Sequence, residues 1–153
     1  MNVFFSDEQE VPVDGAALRG FAETILVAEG LPPGTEMSLI LIGPDQIAEY
    51  NRRFMEREGP TDVLAFPLED LVPGAIPAPV ANEPPLTLGD VFLCPAEIRR
   101  RADREGFVFE DFTFLLTAHG ILHLLGYDHD DEAAAERMES REDQLLAMIG
   151  RSL

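Results

Sequence analysis

Residues 112–129 read FTFLLTAHGILHLLGYDH. Asp111 stands in front as a helix N-cap, the largely apolar run from Phe112 reaches Leu125, and Gly126 is a residue that ends helices. Broken by His119 and His123, the run falls short of the roughly 20 apolar residues that span a membrane. A long helix within a globular domain is therefore predicted. It carries chemistry, because His119, His123 and His129 are the only three histidines of the chain. The first two are four residues apart on a helix, so they share a face with their Cβ atoms roughly 5–6 Å apart. Gly126 permits a sharp turn that brings His129 back to the same point. A lone histidine on an apolar helix is ordinarily a core residue, but here one stretch uses every histidine at ligand spacing. Three neutral imidazoles suit zinc, one ion per chain, and leave a fourth position for water, as a catalytic site does. Asp128 either orients a histidine ring or caps the helix that follows.

Outward from this stretch, helices and strands alternate. Asn2–Ser6 reads as a short strand, and Asp14 caps a helix carrying Leu18, Phe21, Ala22, Ile25 and Ala28, closed by Gly30. Met37–Ile42 is a run of buried-strand type, Pro44 opens a helix to Met55, and Thr61–Phe66 and Leu88–Leu93 are further strands. Pro95 opens a helix to about Glu105, and Asp130 or Asp131 caps a last one, Glu132–Ile149. Between Leu68 and Thr87 the pattern stops. Five of the twelve prolines lie there, which predicts a surface loop. Interspersed strands with helices enough to cover one sheet make one α/β or α+β domain.

Composition bounds the function. A chain of 153 residues is one domain long and needs no disulfide staple. Its one cysteine, Cys94, excludes an internal disulfide and fits a reducing compartment; it reads as a buried thiol at a strand end. The N-terminus has no signal-peptide pattern, so a soluble cytoplasmic protein with no membrane partner is expected. The net charge is −18, from 29 acidic residues against 11 arginines and no lysine. Such a surface repels nucleic acid, yet seven arginines fall in two clusters: Arg52, Arg53 and Arg57, then Arg99, Arg100, Arg101 and Arg104. They are either solvated helix faces or forks for phosphate. The acidic stretch Asp128–Asp143 reads as a solvated helix face.

The spacing from His119 to His129 matches the zinc sites of metzincin peptidases, with one exception. Those carry a glutamate base directly after the first histidine, where this chain has Gly120. The whole run His119–His129 resembles instead the zinc signature of the YbeY family of bacterial endoribonucleases. Pro60-Thr61-Asp62-Val63-Leu64-Ala65-Phe66-Pro67 resembles that family's Pro-Thr-Asp-Val-Leu-Ser-Phe-Pro block, with alanine in place of serine. Leu88-Gly89-Asp90-Val91 resembles its Leu-Gly-Asp-Ile strand, and the three blocks keep the family's order.

The resemblance implies a single α+β domain over residues 1–153, with a four-stranded mixed sheet covered by about five helices. It implies zinc on His119, His123 and His129. It also implies cleavage of single-stranded RNA beside the small ribosomal subunit and its proteins, in maturation of the 16S ribosomal RNA 3′ end and in ribosome quality control. The family commonly has an arginine after the aromatic residue ahead of Pro-Thr-Asp, and that position is Met55 here; Arg57 is the candidate catalytic replacement, with Arg53 close by. An arginine from either cluster would pair with the phosphate. The motif holds no evident general base, so the attacking group is either metal-activated water or the substrate's own 2′-hydroxyl. A non-catalytic ribosome assembly factor with structural zinc, and a metallopeptidase, remain as alternatives.

Overall fold

The computed structural model describes all of residues 1–153. The elements run β1 (Asn2–Asp7), α1 (Gly15–Ala28), β2 (Glu36–Leu41), α2 (Pro44–Met55), β3 (Val63–Pro67), β4 (Thr87–Leu93), α3 (Pro95–Glu105), α4 (Phe109–Leu124) and α5 (Glu132–Met148). The strands form one mixed sheet in the order β1-β2-β4-β3. β1 pairs with β2 and β2 with β4 in parallel, whereas β3 returns antiparallel to β4 and is left as an edge. The expected α+β class, with four strands and five helices, is the class observed. No single helix is long and apolar enough to cross a membrane.

The sheet separates two unequal cores. The larger packs α1 and α4 against the sheet, with Ile98 and Ala102 of α3 and Met138, Leu145 and Leu146 of α5 joining them. The smaller, around Ile42, Ile47, Leu64 and Cys94, lies under α2 on the other face. α4 is central: ten of its sixteen residues are buried, among them Phe112, Leu116, Ile121 and Leu124. Its buried threonines are satisfied locally. The hydroxyls of Thr113 and Thr117 donate to the carbonyls of Phe109 and Thr113, at 2.8 and 2.9 Å.

Two boundaries differ from expectation for identifiable reasons. α4 begins at Phe109, two residues before Asp111, and its N-cap is Val108, with no side-chain cap. Asp111 is drawn instead into an ion pair with Arg151, whose guanidinium also binds Glu110; both contacts are 2.8 Å. The proline-rich segment is also not a free loop along its first half. Leu71 and Ile76 pack against the larger core, and Val72 and Ala75 close a small bridge between them. Asp14 and Asp131 do cap α1 and α5, accepting from the N–H groups of Ala17 and Ala134.

Candidate metal centre and its cleft

His119 and His123 project from the last two turns of α4. The helix then stops in a Schellman turn: the Gly126 N–H donates to the His123 carbonyl at 3.1 Å and the Tyr127 N–H to the Leu122 carbonyl at 3.0 Å. Gly126 takes φ +95°, in the left-handed region that a side chain disfavours, and the reversal returns His129 to the helix end. Ring centroids lie 4.6 Å apart for His119 and His123, 5.2 Å for His123 and His129, and 5.8 Å for His119 and His129. One nitrogen from each ring falls within 4.8 Å of the other two. The donor set fits a metal ion. Zinc–nitrogen bonds of about 2.0–2.1 Å at a tetrahedral angle set ligand nitrogens roughly 3.3 Å apart, and the His119 and His123 Nε2 atoms are 3.1 Å apart. Burial, aided by the neighbouring imidazoles, lowers the His123 pKa to about 4, so its ring is neutral with a lone pair to offer at ordinary pH.

The ring of His119 is held from behind. Its Nδ1 lies 3.3 Å from Oε2 of Glu142 on α5. A carboxylate only accepts, so Nδ1 carries the proton and Nε2 is free to ligate. Asp128, the expected candidate for such a role, is exposed and accepts from the Asp130 backbone N–H in its own turn. Nor is the acidic stretch wholly a solvated face, since Glu142 is 6% exposed. The signal was present: Ala134, Met138 and Leu145 mark the buried stripe of α5, and Glu142 falls on it at helical spacing. Glu142→Ala is expected to weaken metal binding about 10- to 100-fold, read by competition with a chelator. Unchanged affinity would show that the ring needs no such support.

The histidines form one wall of a cleft of about 400 Å³, and the edge strand β3 with the end of α2 forms the other. Asn51 shapes this rim. The residue is 5% exposed; its side-chain amide donates to the Gly59 carbonyl at 3.0 Å, while its backbone carbonyl accepts from the Arg57 N–H at 3.2 Å. Pinned in this way, the end of α2 and the chain after it bring Met55 and Arg57 to the cleft. Arg57 makes no ion pair, so its charge is available.

The other clustered arginines are placed differently. Arg52 pairs with Glu49 and Arg100 with Glu97, each within its own helix, at 2.7 and 2.9 Å. Arg101 binds Asp62 at 2.7 Å as well as Glu105, tying the entry to β3 onto α3. Arg100, Arg101 and Arg104 line a separate hollow shared with Asp62, Glu97 and Glu105. The two clusters therefore do not merge into one basic groove; of the seven, only Arg57 lines the histidine cleft.

Gly120 explains the missing peptidase glutamate. It faces the sheet, and a Cβ there would lie 2.6 Å from Val91 Cγ1 and 3.3 Å from Val63 Cγ2. α4 packs so closely on β3 and β4 that no side chain fits after the first histidine, and a carboxylate there would point away from the cleft.

Comparison with known proteins agrees with this architecture. A family model described as "Endoribonuclease YbeY" matches residues 4–150. A protein of that name from Thermobifida fusca is 41% identical over 153 residues, covering 100% of this chain and 97% of that one. Another from Acidothermus cellulolyticus is 40% identical over 147 residues, covering 95% of this chain and 90% of that one. The solution structure of a Thermotoga maritima protein superposes with a TM-score of 0.60 at 25% identity, over 96% of this chain and 91% of that one. With the family model matched along nearly its whole length, and full-length relatives at this identity, the chain belongs to the YbeY endoribonuclease family.

Proposed function

We propose that this chain cuts single-stranded RNA at a zinc ion, one per chain, held by His119, His123 and His129. Its setting is the cytoplasm, with the small ribosomal subunit and its proteins as partners, in maturation of the ribosomal RNA 3′ end and in ribosome quality control. The enzyme class is that of the family: endoribonucleases are hydrolases that cleave RNA phosphodiester bonds. The observation that carries the reading is the convergence of three ring nitrogens within 4.8 Å on the wall of an open cleft.

When bound, zinc supplies Lewis acidity to a phosphoryl oxygen and lowers the pKa of water. The chain's own residues do the rest. Glu142 keeps the His119 proton on Nδ1. Arg57 offers an unpaired planar fork to phosphate oxygens at the rim. No carboxylate lines the cleft, so no side chain there is suited to take the proton of an attacking hydroxyl. The two routes differ in their products: attack by the RNA 2′-hydroxyl leaves a 2′,3′-cyclic phosphate, and attack by water does not. The net charge of −18 keeps non-specific RNA binding weak, which favours delivery of the substrate by the ribosome.

The test is metal content by mass spectrometry on untagged protein, together with cleavage of a labelled single-stranded RNA. About one zinc per chain with chelator-sensitive cleavage supports the reading. Bound zinc with no cleavage, but with co-sedimentation on small subunits, would favour a non-catalytic assembly factor. Arg57→Ala is expected to lower kcat/KM about 10- to 100-fold, the worth of a charge-assisted hydrogen bond. Arg104→Ala, on α3 and away from the cleft, should leave it unchanged. Parental kcat/KM in Arg57→Ala would remove Arg57 from the site.

A further inference from the structure

We propose that the exposed ring of Phe54 is a stacking platform for one unpaired RNA base, next to the nucleotide whose phosphate enters the histidine cleft. This rests on the reading of that cleft as an RNA site. Phe54 lies in the last turn of α2, directly before Met55, which lines the cleft. The residue is 56% exposed although its side chain is large and apolar. It is not loose. Phe66 meets it edge to face at 5.5 Å, and Tyr50 lies tilted at 6.2 Å. Both supporting rings rest in turn on Phe92, at 5.7 and 5.1 Å. Phe66 is followed by Pro67, which also lines the cleft. The platform thus abuts the cleft from two elements, α2 and the edge strand β3. RNA that leaves the histidines over the β3 edge would come onto the α2 side of that strand, where Phe54 packs on Phe66.

The charges around the ring select a nucleotide. The Arg53 guanidinium lies 5.3 Å from the Phe54 ring centroid and makes no direct ion pair, with Glu49 one helical turn away within its electrostatic reach. Arg57 is likewise unpaired in the cleft beside it. Among Glu49, Glu56 and Glu58, Arg53 at the ring and Arg57 in the adjoining cleft are the two cations of this stretch that make no ion pair. A base with its phosphates has that complementarity: the base stacks and the phosphates pair with arginine. Stacking tolerates any base, so the platform would set strandedness and register rather than sequence. It demands an unpaired base and holds it at a fixed step from the phosphate in the cleft. Phe54 is in this sense a positioning residue.

The probe is a short single-stranded RNA with 2-aminopurine placed at successive positions, its fluorescence recorded on mixing, ahead of turnover, with parent, Phe54→Leu and Phe54→Trp proteins. The expected result is quenching at one position with the parent. Phe54→Leu keeps an apolar side chain but no π face. It should lose that quench and bind about 5- to 150-fold more weakly, with KM raised and kcat little changed, and Phe54→Trp should restore both. If Phe54→Leu quenches and binds like the parent, the platform is refuted while the cleft stands as the RNA site. If Phe54→Leu binds RNA normally but releases small ribosomal subunits, the ring is a protein contact and the proposal falls. If the parent itself neither binds nor cuts RNA, the cleft reading falls and the platform with it.

Discussion

Replacing His123 with alanine is expected to strip the metal and reduce RNA cleavage by about a thousandfold or more, since Lewis-acid catalysis is worth several kcal/mol. His123 is the middle histidine of the three. Its Nε2 faces that of His119 at 3.1 Å, and its ring lies 5.2 Å from His129. Two histidines without the third cannot close a three-nitrogen site. The fold should survive, because the ring lines an open cleft. Metal content, cleavage and circular dichroism on parent and variant check the three statements; full zinc occupancy in the variant would sink the assignment.

The same substitution has a signature in chelator-treated protein. The folded chain holds the His123 pKa at about 4, against an ordinary value of 6.5, chiefly through burial. Between these values the unfolded chain binds the extra proton and the folded chain does not. Stability of the metal-free parent should therefore fall as pH drops from about 6.5 towards 4, and His123→Ala should lack this component. Denaturant midpoints across that window measure it.

Gly126→Ala is expected to destabilise the protein by about 3 kcal/mol and lower its Tm by about 10 °C. Two costs add. The residue sits at φ +95°, and an added Cβ would lie 2.0 Å from the Leu71 carbonyl oxygen. That obstacle is backbone, so the docked start of the proline-rich segment must shift. The turn also carries His129, so metal affinity should fall together with stability. Thermal melts with and without zinc separate the two effects, and a variant with the parental Tm and zinc affinity would contradict this account of the turn.

How much of this could be read from residue order follows from distance along the chain. The His119–His123 pair is set by helical pitch, and the return of His129 by a glycine turn. Both depend on geometry within eleven residues, so the candidate site was legible before any fold was known. Helix starts marked by Pro44, Pro95, Asp14 and Asp131 were legible for the same reason. Gly120 was visible as a missing glutamate, but its cause, Val91 of β4 beneath it, was not.

The remaining features join residues far apart. Glu142 meets His119 across 23 residues, Asp62 meets Arg101 across 39, and Asp111 meets Arg151 across 40. Side-chain charge says only that such a residue will find a partner or water; the packing of α5 on α4, or of α3 against the start of β3, chooses which. For this reason Arg101 is spent on Asp62, Arg57 is left free at the cleft, and a glutamate in an acidic run is buried behind a histidine. Short-range spacing was enough to bring the three histidines together, whereas the carboxylate behind them, and the unpaired charge at the cleft, exist only once the helices close on the sheet.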